Sequence, residues 1–167
     1  MKRETLSDNG NITIQRRAAT AEDEGFLFRL YAASRADLDI VPLPPEQKDL
    51  LVKMQFNAQR QQYSSTFPAA EHTIILIEDL PVGRTLINRA ANEYRLVDIV
   101  LLPQYCGTGI GTRLLLDLLA DASAANVVVR LNVRKENRAL NLYRRLGFVV
   151  IADDGVFLAM EWRAQSV

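Results

Sequence analysis

Three glycines at alternate positions, Gly107, Gly109 and Gly111, stand within the run LVDIVLLPQYCGTGIGT at 96–112. Glycine adopts left-handed backbone without steric cost and lets main-chain N–H groups approach a ligand closely. At a helix start those N–H groups have no intrahelical acceptor, and the helix dipole favours negative charge. Such a turn suits one kind of chemistry, the cradling of a phosphate or pyrophosphate. A tight turn without a ligand also accommodates glycine. Three of them in five residues, each costly inside an element, weigh against that alternative.

The spacing separates this turn from two familiar phosphate loops. A Walker loop needs Lys and then Ser or Thr after its last glycine; here Thr112 and Arg113 follow Gly111. A dinucleotide fingerprint needs G-x-G-x-x-G at the first strand of a βαβ unit. This chain has G-x-G-x-G, and the strand lies past its middle.

The flanking elements position the turn. Leu96, Val97, Ile99, Val100, Leu101 and Leu102 form an apolar run interrupted by Asp98, which predicts a strand. Pro103 cannot continue a ladder and ends it. Leu114, Leu115, Leu118 and Leu119 then recur at helical spacing.

Further on, residues 137–148 read NRALNLYRRLGF. This segment, together with LLPQYCGTGIGTRLLL, resembles the GNAT superfamily of acyl-CoA-dependent N-acetyltransferases. The resemblance is close over about the last seventy residues and elsewhere rests on element order. It implies that the glycine-rich turn holds the pyrophosphate of acetyl-CoA. It also implies that the pattern N-x-A-x-x-L-Y-x-x-x-G-F carries a cofactor-contacting Asn, here Asn137, and a Tyr near the thioester sulfur, here Tyr143.

Composition bounds the rest. The 167 residues suffice for one domain with a core. The chain is 49% hydrophobic and 24% charged with a formal net charge of zero, so no global field recruits nucleic acid or membrane. Cys106 is the lone cysteine, which excludes an internal disulfide and fits a reducing compartment. The start MKRETLSDNG is polar and lacks the apolar core of a signal peptide, and no apolar run approaches a membrane span. The expected location is the cytoplasm. No metal-ligating constellation is visible.

Taken in order, residues 1–10 read as a loose lead-in ending at the turn pair Asn9-Gly10, with a single domain over 11–167. Alternation predicts a strand over 11–17. Thr20 and Asp23 mark a helix start, and that helix is expected to fade near Leu38–Pro42. A second helix is expected over about 45–64, anchored by Leu50, Leu51, Met54, Phe56 and Ala58. Strands follow at 73–77, 82–88 and 94–102. A helix is expected at 109–125, a buried strand at 126–134, and the motif helix at 136–145. Two strands around Asp153-Asp154-Gly155 close the chain. This order, β-α-α-β-β-β-α-β-α-β-β, is the order of the GNAT fold. The resemblance therefore implies an α/β (α+β) domain with a mixed, mostly antiparallel sheet flanked by helices.

Under the resemblance, Cys106, Gly107, Thr108, Gly109, Ile110, Gly111 and Thr112 wrap the pyrophosphate. Many relatives carry Gln or Arg where this chain has Cys106, and a thiol offers no charged fork to a phosphate. Arg113 is a candidate substitute. The main chain of Ile99, Val100 and Leu101 is expected to pair with the pantetheine amides like an added strand. Asn137 contacts the cofactor or caps a helix. Tyr143 is the candidate acid for the departing thiolate, its phenol being near the thiol in acidity; the alternative is a buried aromatic between Leu142 and Leu146. Asp98 is the first candidate for general base, with ion pairing to Arg95 or Arg130 as its structural alternative. Glu93 or water are others. Asn132 cannot take a proton. His72, the sole histidine, is expected at the surface. Tyr31, Arg35, Gln59, Tyr63 and Phe67 are candidates for the acceptor wall, against a solvated helix face for any one of them.

Two functions follow. One is transfer of an acetyl group from acetyl-CoA to a primary amine, a small molecule or peptide, by direct attack. The other is a module that holds acyl-CoA and transfers nothing. A nucleotide-binding protein ranks third, and protection from heat by ATP or NAD but not CoA would mark it. Relatives often dimerise, so a homodimer is open.

Overall fold

The computed structural model describes residues 4–6, 13–35, 37 and 41–164, with the backbone alone described at 4–6. Its elements are β1 (Glu4–Leu6), β2 (Ile14–Ala18), α1 (Glu24–Ala33), α2 (Pro45–Thr66), β3 (Glu71–Ile77), β4 (Leu80–Arg89), β5 (Glu93–Leu101), α3 (Ile110–Ala124), β6 (Val128–Arg134), α4 (Leu140–Arg145), β7 (Val149–Asp153) and β8 (Phe157–Trp162). The strand order is β1-β2-β3-β4-β5-β6-β8-β7. β5 and β6 run parallel, whereas β1–β2, β2–β3, β6–β8 and β7–β8 are antiparallel. This is the expected mixed, mostly antiparallel sheet with helices, plus one strand at the front.

That extra strand departs, at residues 4–6 of the ten, from the reading of residues 1–10 as a loose lead-in. Glu4, Thr5 and Leu6 pair with Arg16, Gln15 and Ile14, and so occupy an edge of β2 that would otherwise present unpaired main-chain groups. The Asn9-Gly10 turn, and Asn11 and Ile12 of the expected first strand, lie outside the described residues. So do residues 38–40, where the first helix is expected to fade.

The chain falls into two compact units, Met1–Leu86 with Asp98–Cys106, and Ile87–Val97 with Gly107–Val167. In the first, the Asp23 carboxylate accepts the Thr20 N–H at 2.8 Å and takes the Arg17 guanidinium in two bonds of 2.6 and 2.7 Å. This closes the start of α1, as the Thr20-x-x-Asp23 spacing predicts. The helix ends at Ala33, earlier than expected, where the Ser34 hydroxyl donates to the Tyr31 carbonyl at 2.6 Å.

Pro45 opens α2 at a position where its missing N–H costs nothing. Of the five expected anchors of α2, Phe56 alone is buried; Leu50 and Met54 are 60% and 61% exposed. The inward stripe of α2 runs through 48, 51, 52, 55, 56, 59 and 63, so the expected anchor Leu51 is on it, half-buried, and the i, i+4 pair Leu50 and Met54 lies off it. Phe56 joins Phe26, Leu27, Leu30, Ile74 and Leu76 in one core cluster. A Cβ on Gly83 of β4 would lie 2.5 Å from the Val100 carbonyl, so only glycine lets β4 approach β5 there.

In the second unit α3 buries Ile110, Leu114, Leu115, Leu118, Leu119 and Ala122, one helical face, and lies against β6. Asn126 takes φ +54°, and the Val127 N–H returns to the Ala122 carbonyl at 2.9 Å. This left-handed cap starts β6 at Val128, two residues later than expected. The motif helix is also shorter, Leu140 rather than Glu136 being its first residue. Asn137 Oδ1 accepts the Ala139 N–H at 2.8 Å and holds the preceding residues in a turn. Gly147, at φ +92°, ends α4.

Candidate active site

The glycine-rich turn lies in the second unit from Gly107 onward. Gly107 and Gly109 have φ of +77° and +89°, and Gly109 is the N-cap of α3. No side chain caps that end and no acidic residue lies in its first turn. The Arg113 N–H opens the helical ladder at the Gly109 carbonyl, 3.1 Å away, so the N–H groups of Ile110, Gly111 and Thr112 precede it. Gly107, Thr108 and Gly109 are exposed. A Cβ on either Gly107 or Gly109 would meet nothing within 4 Å. The glycines are therefore set by backbone conformation and leave open space above the turn. Exposed, uncapped and free of nearby carboxylates in the helix start, this place fits a diphosphate.

Arg113 is half-buried in the first turn of α3. Asn137 is exposed and caps its own turn. Tyr143 is 5% exposed, its ring packed edge-on against Phe148 at 5.6 Å. Asn132 is exposed on β6. Glu93 binds Arg95 at 3.0 Å and Arg130 at 2.7 Å, and Arg130 also binds Glu161. Both arginines proposed as structural partners of Asp98 are thus committed to Glu93.

The first unit ends with Cys106, which is exposed and has its Sγ 3.6 and 3.8 Å from the Leu102 and Leu101 carbonyls. Its thiol turns back on the end of β5. In this unit Asp98 pairs with Arg84 of β4 through Oδ2 and Nη2, which corrects the expected partner. The same Nη2 donates to Gln59 Oε1 at 3.0 Å, and the guanidinium lies 5.9 Å from the centre of the Tyr63 ring. Gln59, Tyr63 and Asp98, far apart in sequence, therefore meet around Arg84. Burial, with the Asp98 charge second, pushes the Tyr63 phenol up to about 12 and keeps it protonated.

His72 is half-buried on β3, not at the surface, and its Nε2 is buried without a hydrogen-bond partner. Burial, followed by the Arg84 charge, lowers its basicity, so the ring is neutral near pH 7. Arg35 donates to the Tyr31 hydroxyl at 2.9 Å, to Gln55 and to Asp37. Arg35 also lines a hollow of about 270 Å³ with Leu43, Pro45, Lys48 and Val52. Phe67 is the half-buried C-cap of α2. Arg84 is the member of this site that sequence reasoning missed. The available signal was a single arginine inside the apolar strand LPVGRTLI.

An acetyltransferase (GNAT) domain profile matches residues 44–162. The chain belongs to the GNAT acetyltransferase family. Several solved structures share its fold. The PaiA N-acetyltransferase of Thermoplasma acidophilum, in complex with coenzyme A, is 20% identical with a TM-score of 0.70 over 90% of this chain and 99% of that one. A structure from Corynebacterium glutamicum described as histone acetyltransferase HPA2 and related acetyltransferase is 22% identical, with a TM-score of 0.62 over 90% and 97%. The ribosomal-protein-S18-alanine N-acetyltransferase of Escherichia coli is 18% identical, with a TM-score of 0.61 over 89% and 90%. No curated protein matches significantly by sequence. As a GNAT acetyltransferase the chain is an acyltransferase. Among the described residues no helix is long and apolar enough to cross a membrane.

Proposed function

We propose that this GNAT acetyltransferase moves an acetyl group from acetyl-CoA to a primary amine by direct attack, in the cytoplasm. The observation that carries the reading is the open, uncapped turn from Gly107 to Thr112 with its two left-handed glycines. Its main-chain N–H groups would hold the pyrophosphate. The ladder of β5 to β6 ends at Leu96↔Leu131, and the main chain of Ile99, Val100 and Leu101 beyond it would take the pantetheine amides. The bound acetyl-CoA supplies an activated acyl thioester.

The chain's own groups then handle protons and position. Asp98, fixed by Arg84, takes the proton that the amine must shed, directly or through water. Gln59 and Tyr63 offer an amide and a protonated phenol to the acceptor. The amine nitrogen forms the new bond to carbon as the carbon–sulfur bond breaks, and Tyr143 gives its proton to the sulfur. Much of the rate comes from orientation, since both reactants are held.

Release of free CoA thiol in the presence of amines tests this reading. The panel holds polyamines, amino acids, aminoglycosides, and peptides with free N-termini or lysines. At least one class should raise release roughly tenfold or more above hydrolysis without amine. CoA binding with no amine-dependent release would overturn transfer and fit a module that only holds acyl-CoA.

A further inference from the structure

Strands β6 and β8 bury one face and leave the other open. Val129, Leu131 and Val133 of β6 and Leu158 and Met160 of β8 are all buried, and α3 lies against β6. Alternation puts Arg130, Asn132 and Arg134 on the opposite face of β6. The ladder sets these three against Glu161, Ala159 and Phe157 of β8, and β7 adds Val149 beside Glu161 and Ala152 beside Ala159. The open face therefore has three rows, spaced about 7 Å along the strands.

The rows differ in charge. In the first, Arg130 binds Glu93 and Glu161, and Arg163 also binds Glu161, so every charge is paired. In the second, Asn132 is exposed beside two alanines, whose short side chains leave a shelf over the sheet. The third holds one uncompensated cation. Arg134 is exposed, its guanidinium lies 5.4 Å from the centre of the Phe157 ring, and among the described residues it makes no ion pair. The neighbouring Lys135 and Asp153 bind each other at 2.6 Å.

We infer that Asn132 and Arg134 hold the carboxylate of the acceptor, and that the acceptor is a small amine bearing that group, an amino acid. An arginine over an aromatic ring keeps its in-plane donors for a planar, singly charged acceptor, and the Asn132 amide adds a donor from the same face. The β5–β6 ladder ends at Leu96↔Leu131, so Asn132 is the first residue of β6 past the point where the two strands part. A free amino acid holds amine and carboxylate within one row spacing. Its amine can stand at the fork while its carboxylate meets Asn132 and Arg134. A polyamine would instead bring further positive charge to a row with an unpaired cation. The inference rests on the acetyl-transfer reading, which leaves the class of amine open.

Thiol release with each amino acid and with its amide, which keeps the amine and lacks the carboxylate, tests it. The best amino acid should exceed its amide in kcat/KM roughly tenfold or more. Arg134→Gln should lower that ratio about tenfold, mainly through KM, and Arg134→Lys should keep part of it, as a point charge without the fork. A preference for amides, polyamines, aminoglycosides or peptides, or a ratio indifferent to Arg134→Gln, overturns the inference. If no amine is acetylated, acetyl transfer falls, and the carboxylate site is read by binding instead. Calorimetry on the CoA-bound protein should then show N-acetyl amino acids binding roughly tenfold more tightly than N-acetyl amino amides, with the difference lost in Arg134→Gln. Equal binding of acid and amide overturns the site as well.

Discussion

Arg84 Nη2 donates to Asp98 Oδ2 between neighbouring strands, and the Arg84 side chain is 6% exposed against 18% for Asp98. A charge pair this sheltered is costly to break from one side, because the remaining partner stays buried without compensation.

Arg84→Met should therefore destabilise the fold by about 2–4 kcal/mol, slightly under the usual range for a fully buried pair because Asp98 keeps some solvent contact. The double variant Arg84→Met/Asp98→Leu should recover at least half of that loss. Urea denaturation of the singles and the double checks the pair. Strictly additive losses would mean that the two residues do not interact.

Under the proposed mechanism Asp98→Asn should lower kcat at least tenfold while CoA affinity stays within about twofold, because the amine would lose its proton acceptor and the glycine-rich turn is untouched. Stopped-flow or steady-state thiol release, with CoA binding measured by calorimetry, separates the two effects. Undiminished turnover would assign the proton to water.

Tyr143→Phe should slow turnover tenfold or more and leave CoA affinity nearly intact. The ring is buried and packs on Phe148, and phenylalanine preserves that contact. Loss of the hydroxyl is thus read with little change in packing. Equal turnover in the two proteins would remove Tyr143 as the acid.

At the turn, Gly109→Ala forces a side chain into left-handed backbone, at about 1–2 kcal/mol, without meeting another atom. CoA should bind roughly tenfold or more weakly. Cys106→Arg, at an exposed position, should bind CoA several-fold more tightly by adding a charged fork beside the phosphates. Cys106→Ala should leave turnover unchanged. Calorimetry with CoA decides the first two, and thiol release decides the third.

Hydrogen bonding to Arg17 lowers the Asp23 carboxyl from 3.8 to about 2. A carboxyl depressed on folding stabilises the native state above its unfolded pKa, and that contribution disappears as pH falls through the folded value. Asp23→Asn should cost roughly 1–2 kcal/mol near pH 7, allowing for solvent screening. The gap from wild type should close between about pH 4 and pH 2, as followed by urea denaturation at stepped pH.

Legibility followed the range of the interactions. The capping by Thr20 and Asp23, the strand end at Pro103, the helical face of α3 and the left-handed Gly147 all depend on neighbours a few residues away, and each could be read along the chain. The glycine-rich turn belongs with them, since Gly107 and Gly109 make their conformation locally.

The failures share the opposite cause. Leu50 and Met54 look like anchors by hydropathy, yet α2 turns a different stripe inward, and only its packing partners select that stripe. The strand at 4–6 forms because β2 offers it an edge. Asn137 shortens α4 through one side-chain bond that competes with helix. Alone, then, the sequence determined the element order from β2 onward, the glycine-rich helix start and the motif that marks the family. Tertiary structure decided which charges meet. Asp98 finds Arg84, not Arg95 or Arg130, because strand pairing brings residues fourteen positions apart into contact, and a largely sheltered carboxylate is stable only beside a cation that the same fold holds next to it.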